Sequence, residues 1–336
     1  MARLDLNALT LHITASALQH PDDLATHIAE VGQVSRSTAR KALQRLVQLG
    51  WLRREGSTRQ PRFQPGLLRQ VVKRYALTGL QEDLPWSRDF ARCFDLPAEV
   101  RRITQHIFGE LLNNAIDHSG GESVTVSLRQ TPSHVQLLVS DDGCGVFDQL
   151  SRSFSLDDPA LAMLEVSKGK LTSQPARHAG RGLFFSSRLA DVFDLHANDT
   201  AFQHRLWDRG WHPGRALKRR GTSVYAAIAL DTTRKLDDVL QAYSLDGAGF
   251  GFERTTVPLR LLATPLAGLD SRAQARRVAA RLQQFRRAEM DFDGVTAIGH
   301  SFVDELFRVL PMDGVEMVPT NMSPKIEALV RSVREA

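Results

Sequence analysis

The sequence contains little cysteine and no long apolar run. Two cysteines, Cys93 and Cys144, occur among 336 residues, too few for a disulfide framework or for a zinc site built from cysteines. No run of about 18 apolar residues occurs, so we predict no membrane span. The first residues lack a charged region followed by a long apolar core, and we therefore expect no signal peptide. These absences favour a protein of the reducing cytoplasm.

The charge of the chain is unevenly distributed. The net charge is +5, but residues 1–80 contain twelve Lys/Arg against five Asp/Glu, which leaves −2 for the remainder. A basic N-terminal module on a near-neutral body indicates a polyanionic partner for that module alone. With 42% hydrophobic and 24% charged residues, the rest of the composition is ordinary for two or three globular domains.

The basic module has a pattern of helices followed by a hairpin. Apolar spacing predicts helices over 6–18, 21–31 and 35–49, the last with Ser35 as N-cap. A strand, a turn around Gly56 and a returning strand follow. Residues 1–65 thereby resemble a winged helix-turn-helix domain, which implies duplex DNA as a partner. The residues suited to groove and phosphate contacts are Arg36, Ser37, Thr38, Arg40, Lys41, Arg53, Arg54, Arg59 and Arg62.

Two alternatives remain open for this region. A winged helix can also serve as a protein docking or dimer module, with its charges only solvated. Residues 66–96 are predicted as a connector, helical over 66–80 and irregular beyond, which either links the modules or forms a dimer seam. No histidine-bearing dimerisation helix precedes the next motif, and this disfavours an autophosphorylating histidine kinase.

The segment from Glu110 to His118 predicts a helix with a polar face. Glu110 and Asn114 are four residues apart and therefore project from one side, where a carboxylate suits a water and a carboxamide suits a hard metal ion. Some 25 residues later, an apolar strand-like run ends in Asp141-Asp142-Gly143-Cys144-Gly145. This second segment places a carboxylate and two glycines at the end of a strand.

These segments resemble the nucleotide-binding fold of DNA gyrase, a major heat-shock chaperone, mismatch-repair ATPases and histidine kinases, the GHKL superfamily. The second glycine box of that superfamily is similar to Gly180-Arg181-Gly182-Leu183, with Phe184 in place of the usual third glycine. A late Gly-Thr pair is matched by Gly221-Thr222. The resemblance implies an α/β sandwich over 97–245, with a mixed sheet and helices on one face.

The resemblance also implies ATP and Mg²⁺ as cofactors. Asn114 would bind the Mg²⁺ that bridges the phosphates, and Asp141 would accept a hydrogen bond from the adenine amino group. Glu110 would orient an attacking water or hydroxyl, or would only hold the water shell of the metal. His118 would meet phosphate or cap the helix end. The remaining nucleotide contacts are implied for Gly143, Gly145, Gly180, Arg181, Gly182, Leu183 and Thr222.

Residues 147–179 should form a mobile lid over the nucleotide. Lys168, Lys170 and Arg177 lie there, and we expect at least one of them to meet phosphate, the alternative being a solvated loop. Residues 193–220, which contain two tryptophans, are predicted as irregular, either a partner surface or an insertion.

Residues 250–336 alternate strand and helix, which predicts a small α/β layer. Strands are expected over 257–262 and 315–318, with helices over 271–288 and 323–333. The segments 291–295 and 301–306 resemble a STAS-like domain, a relative of anti-sigma-factor antagonists. In that family a serine at a strand-to-helix turn is phosphorylated, which makes Ser301 a possible phosphoacceptor or simply an N-cap.

The sequence as a whole predicts a multidomain α+β regulator that binds ATP·Mg²⁺ and responds to it in its contact with DNA. Two rivals remain: a serine kinase acting on Ser301 or on another protein, and an ATPase that dimerises with ATP. A homodimer and a protein partner of the STAS-like domain are compatible with each reading, and no membrane contact is expected.

Overall fold

The computed structural model describes residues 4–156, 158–171, 180–208, 210–245, 251–263, 268–310 and 312–335. The chain divides into two compact units, one of residues 1–142 with 223–233 and one of residues 143–222 with 234–336. Within the described ranges, no helix is both long and apolar enough to cross a membrane.

The first unit begins with short helices and a hairpin around one apolar core. That core contains Ile13, Leu24, Leu43, Leu46 and Phe63, each nearly inaccessible to solvent. The elements are α1 (Leu6–Thr10), α2 (Ile13–Gln19), α3 (Leu24–Val31), α4 (Arg36–Gln48), β1 (Leu52–Gly56) and β2 (Pro61–Pro65), the two strands being antiparallel.

Most of these elements were predicted, with two corrections. The Ser35 hydroxyl accepts a hydrogen bond from Thr38 N at 3.1 Å, which confirms the N-cap of α4. The predicted helix 6–18 is instead two helices. The helix predicted from Pro21 begins at Leu24. The Pro21 carbonyl accepts a hydrogen bond from Phe63 N of β2 at 2.8 Å and is therefore engaged with the hairpin instead of within the helix.

The connector is a strand, which corrects the prediction of a helix over 66–80. Strand β3 (Arg69–Ala76) pairs antiparallel with β4 (Ser123–Gln130). Val71, Val72 and Tyr75 have β-branched or aromatic side chains, which favour a strand once a neighbouring strand supplies the hydrogen bonds. The backbone of β3 also contacts α2, since Gln70 N donates to Thr14 Oγ1 at 3.0 Å.

A long helix packs against the sheet of the first unit. After a short turn α5 (Asp83–Pro85) and a wide helical turn over 86–90, α6 (Ala98–His118) lies against β5 (His134–Asp141). The helix is continuous, as predicted from 97 onward. Phe90 and Phe108 meet edge to face at 5.2 Å and form part of the core beneath α6.

The second unit continues with helices and an antiparallel meander. Its elements are α7 (Val146–Phe154), α8 (Pro159–Lys168), α9 (Gly182–Leu189), β6 (Val192–Asn198), β7 (Thr200–Arg205) and β8 (Gly210–Pro213). The prediction of irregular chain over 193–220 was therefore wrong. Alternate side chains of β6 are buried, among them Phe193, against which Trp211 packs edge to face at 5.9 Å.

Strand β9 (Arg219–Ala229) joins the sheet of the first unit through its second half. Residues 223–229 pair antiparallel with β5, so the order there is β3, β4, β5, β9. The Ser140 and Ser223 hydroxyls are hydrogen-bonded across this pair. The end of β5, where Asp141 lies, is thus flanked by neighbouring strands.

The C-terminal part is a parallel three-stranded layer with helices. Its elements are α10 (Leu236–Gln241), β10 (Arg254–Pro258), α11 (Arg272–Ala279), β11 (Arg287–Asp291), α12 (His300–Asp304), β12 (Glu316–Thr320) and α13 (Pro324–Arg334), with strand order β10, β11, β12. The helix predicted over 271–288 ends at Ala279, because Arg281 is left-handed (φ 64°) and the chain then enters β11. The strand predicted over 257–262 lies earlier, at 254–258.

Candidate functional site

Helix α6 presents Glu110, Asn114 and His118 on successive turns of one half-buried face. The helix packs against β5, and β5 ends at Asp141, whose exposed fraction is 6%. Asn114, implied as the Mg²⁺ ligand, and Asp141, implied as the acceptor for adenine, therefore lie on two elements of the first unit that pack against each other.

The side chain of Asn114 is incompletely satisfied. Its Nδ2 atom is buried and has no hydrogen-bond partner among the residues that the structure describes. A buried amide left in this state costs free energy, and such a group is commonly completed by a ligand or water. Its carboxamide also supplies an oxygen of the kind that Mg²⁺ prefers. Nδ2 is a donor and therefore suits a phosphate or water oxygen, while Oδ1 suits Mg²⁺, so Asn114 fits a complex of nucleotide and metal.

The described part of the chain contains no cluster of three or more His, Cys, Asp or Glu residues suited to a metal ion. Mg²⁺ in nucleotide sites is commonly bound by one or two protein oxygens, with phosphates and waters completing the shell. One carboxamide oxygen, that of Asn114, would be the protein ligand in such a shell.

The turn that follows Asp141 is fixed by its neighbour. The Asp142 carboxylate accepts hydrogen bonds from Ser123 Oγ at 2.6 Å, Glu122 N at 2.8 Å and Ser123 N at 3.0 Å. These donors lower the pKa of Asp142 to about 2, the Ser123 hydroxyl contributing most. Asp142 consequently stays ionised and ties the end of β5 to the start of β4.

The first glycine segment belongs to the second unit. Gly145 has φ 88° and caps α7, a backbone conformation that side-chain-bearing residues rarely adopt. Val146 N, the first N–H of α7, donates to Thr222 Oγ1 at 3.0 Å. The structure therefore brings together the glycine loop and the Gly221-Thr222 pair.

The second glycine box begins α9, as predicted. Gly180 has φ 64°, and a Cβ there would lie 2.5 Å from the backbone of Leu171. Arg181 is the N-cap and Gly182 and Leu183 open the helix. Phe184, which replaces the usual third glycine, is buried against Phe252 at 4.6 Å. The departure from the motif thus serves packing.

The structure places Lys168 in a different environment from the one predicted. Its side chain is 1% exposed, and Nζ contacts Glu165 Oε1 at 2.5 Å and the Ala280 carbonyl at 2.9 Å. Burial lowers the pKa of Lys168, while Glu165 opposes that shift. Helix α8 packs on β10, and this burial engages the ammonium within the protein rather than leaving it for phosphate.

Lys170 is likewise bound to the C-terminal part. Its Nζ donates to the Gln284 carbonyl at 2.5 Å and lies 4.5 Å from the centre of the Phe285 ring. In the described part of the predicted lid, α7 and α8 occupy most of the chain, so this part is helical. Arg177 lies outside the described residues.

The residues selected for DNA contact lie on the surface of the first unit. The exposed ones on α4 and the hairpin are Arg36, Ser37, Arg40, Lys41, Arg53, Arg54, Arg59 and Arg62. Thr38 is half-buried and its hydroxyl contacts that of Ser35 at 2.9 Å. Arg53 forms an ion pair with Glu55 at 3.1 Å, and the α4 cations remain exposed.

Ser301 is exposed and lies in the first turn of α12. Gly299 is the N-cap of that helix, so the alternative of Ser301 as the capping residue is not observed.

One structural residue near the glycine loop was missed by the sequence reasoning. Asn198 lies at the corner between β6 and β7 with φ 54°. The only signal was an Asn-Asp pair inside the stretch taken as irregular, and such residues tolerate left-handed turns.

Comparison with protein families gives two matches. Residues 84–206 match the histidine kinase-like ATPase domain, and residues 274–327 match a STAS-like domain of unknown function (DUF4325). The ATPase match begins at residue 84, before the predicted domain boundary at 97, and ends at residue 206, before Gly221. Neither match extends over α1 to α4. The search of curated proteins found no match. The chain therefore contains a histidine kinase-like ATPase domain over residues 84–206 and a STAS-like domain over residues 274–327.

Proposed function

We propose that this protein is a regulator that binds ATP·Mg²⁺ and adjusts its contact with DNA to the nucleotide state. The observation that carries the first part is the match of residues 84–206 to an ATPase domain, in which α6 holds the buried Nδ2 of Asn114 with no hydrogen-bond partner among the described residues. Its cysteines, Cys93 and Cys144, are both free thiols, which agrees with the reducing, ATP-containing cytoplasm.

The polar residues selected on α6, β5 and α9 then have roles in nucleotide binding. Asn114 would bind the metal ion, and Asp141 would accept the adenine amino group. Mg²⁺, when bound, supplies positive charge against the phosphates. Glu110 would orient a water or hydroxyl, and the N–H groups around Gly180 and Gly182 would face phosphate at the start of α9.

A calorimetric titration of Mg·ATP tests this assignment. Asn114→Ala should weaken binding by about tenfold or more, because it removes a metal ligand. Asn113→Ala is the matched control, since its buried Oδ1 also has no hydrogen-bond partner in the described part of the chain, and its side chain projects about 100° away around the helix. Wild-type protein that does not bind Mg·ATP, or equal loss in both variants, would contradict the assignment.

DNA binding rests on the exposed cations of α4 and the hairpin. A helix of this kind can enter the major groove while hairpin cations meet phosphates. The N-terminal helices pack on β3, the edge strand of the sheet on which α6 lies. A change at α6 could therefore reach them through that sheet.

The salt dependence of duplex binding tests this part. Arg40→Ala/Lys41→Ala should weaken duplex binding and, because two cations are removed from the DNA surface, reduce the slope of log K against log salt by about 2. Lys325→Ala, at an exposed position of α13, is the control and should change neither. An unchanged slope in the double variant would exclude α4 as the DNA surface.

The STAS-like part would transmit or receive the nucleotide state. The described portion of the lid supports this role, because Lys168 and Lys170 both contact residues of the C-terminal layer. A conformational change of the lid would then alter those contacts.

A second candidate function is a serine kinase, favoured by the exposure of Ser301 in the first turn of α12. Phosphate incorporation from labelled ATP would be lost in Asn114→Ala. Its persistence in Ser301→Ala would indicate another acceptor, and no incorporation in the wild type would exclude this candidate.

A further inference from the structure

Asn198 connects three segments around the first glycine loop. Its Nδ2 donates to the Cys144 carbonyl at 2.9 Å and to Asp148 Oδ2 at 2.9 Å, and its Oδ1 accepts from Gly221 N at 3.1 Å. Two acceptors on the nitrogen and one donor on the oxygen determine the orientation of the amide, because a reversed amide would lose all three hydrogen bonds.

The glycine loop runs directly over this amide. A Cβ on Gly145 would lie 2.7 Å from Asn198 Nδ2, closer than side-chain carbons come. The next residue, Val146, donates its N–H to Thr222 Oγ1 at 3.0 Å. The backbone of three consecutive residues, 144–146, is therefore positioned by the side chains of Asn198 and Thr222.

We infer that Asn198 is a positioning residue for the recognition of the adenine base, an inference that rests on the proposed binding of ATP. In that proposal the loop from Gly143 to Gly145 passes close to the base, so its backbone has to be fixed before the ligand arrives. Asn198 does this from outside all the nucleotide-binding motifs. Loss of its donors would free the loop and raise the entropic cost of ordering it around the base.

The rival explanation is that Asn198 only stabilises the corner between β6 and β7. The two explanations differ in what they predict for the parts of the nucleotide. If Asn198 positions the glycine loop for adenine, its loss weakens the binding of ligands that contain adenine. A residue that only stabilises the fold affects every ligand equally, including one without a base.

The experiment measures, by competition binding to the full chain, the affinities for Mg·ATP, Mg·GTP and Mg·tripolyphosphate. Asn198→Asp retains tolerance of the left-handed backbone but removes both donors. We expect roughly tenfold weaker ATP binding from the loss of this hydrogen bonding, with tripolyphosphate within about twofold of wild type. The preference for ATP over GTP should narrow accordingly.

Asn321→Asp is the matched control. Asn321 is also left-handed (φ 53°) and its Nδ2 donates to Asp291 Oδ1 at 2.9 Å, but it lies in the C-terminal layer. It should leave all three affinities unchanged. Asn198→Gly, which keeps the backbone freedom and removes the amide, replaces Asn198→Asp if that variant does not fold.

Parallel weakening of ATP, GTP and tripolyphosphate, or unchanged ATP binding, would overturn the role of Asn198 while leaving the proposed function intact. Wild-type protein that binds no ATP would overturn the proposed function, and this inference with it.

Discussion

Burial determines the charge state of one histidine in the second unit. His204 on β7 is half-buried, with its ring 5.4 Å from that of Trp211. Burial first, then the nearby cations Arg188 and Arg205, lower the pKa of His204 to about 3, with Asp208 opposing them. The folded protein therefore contains a neutral imidazole, whereas the unfolded chain binds a proton near its ordinary pKa.

This predicts acid sensitivity of the second unit. Because the folded pKa is depressed, the stabilisation is complete above about pH 6.5 and is lost as the pH falls towards 3. Between pH 7 and 4.5 the free energy of unfolding should fall by on the order of 2 kcal/mol more in wild type than in His204→Phe. Urea titrations followed by tryptophan fluorescence measure this. Equal pH profiles for the two proteins would contradict it, and exposed His300→Phe is the control.

At the candidate site, some residues could be selected from the sequence alone and others could not. Glu110, Asn114 and Asp141 could be selected because their chemistry and spacing are local features of one helix and one strand end. Lys168 could not be placed, because its burial depends on Glu165 together with Ala280, which is more than a hundred residues away. Asn198 was missed for the same reason.

Elements were predictable where their determinants lie within the element. Helix α4 has its own N-cap and α6 its own apolar spacing. The sequence predicts a helix where β3 lies, because the extended conformation of β3 depends on its pairing with β4, some fifty residues later. The strands between 192 and 213 were likewise set by pairing with each other. The break after α11 follows from the left-handed Arg281, which no spacing rule indicates.

The contact of α8 with the C-terminal layer leads to a prediction at this scale. Thr255 Oγ1 donates to the Lys168 carbonyl at 2.7 Å, and Arg281 lies 3.5 Å from Glu165 beside the buried pair. Lys168→Met leaves Glu165 buried without its nearest cation and should destabilise the second unit by about 3 kcal/mol.

The double variant Glu165→Met/Lys168→Met should recover much of that loss, because it removes both charges and keeps the volume. Thermal unfolding of the two variants beside wild type measures the difference. A double variant less stable than Lys168→Met would show that the pair is not the source of the effect.

At the scale of the whole molecule, the order of modules limits how a signal can pass. The N-terminal helices share a unit with α6 and β5, and the described lid segment shares a unit with the C-terminal layer. In the proposed function, nucleotide bound at Asn114 would alter DNA affinity only if the two conformations of the protein differ in their affinity for nucleotide.

The most direct measurement of the central claim is duplex DNA affinity with and without a non-hydrolysable ATP analogue and Mg²⁺. Wild type should show a change of about fivefold or more, the usual lower range of coupling between sites. Asn114→Ala and Asp141→Asn should bind DNA as the nucleotide-free wild type does and show no response to the analogue. A wild-type DNA affinity that is the same with and without saturating nucleotide would contradict the account.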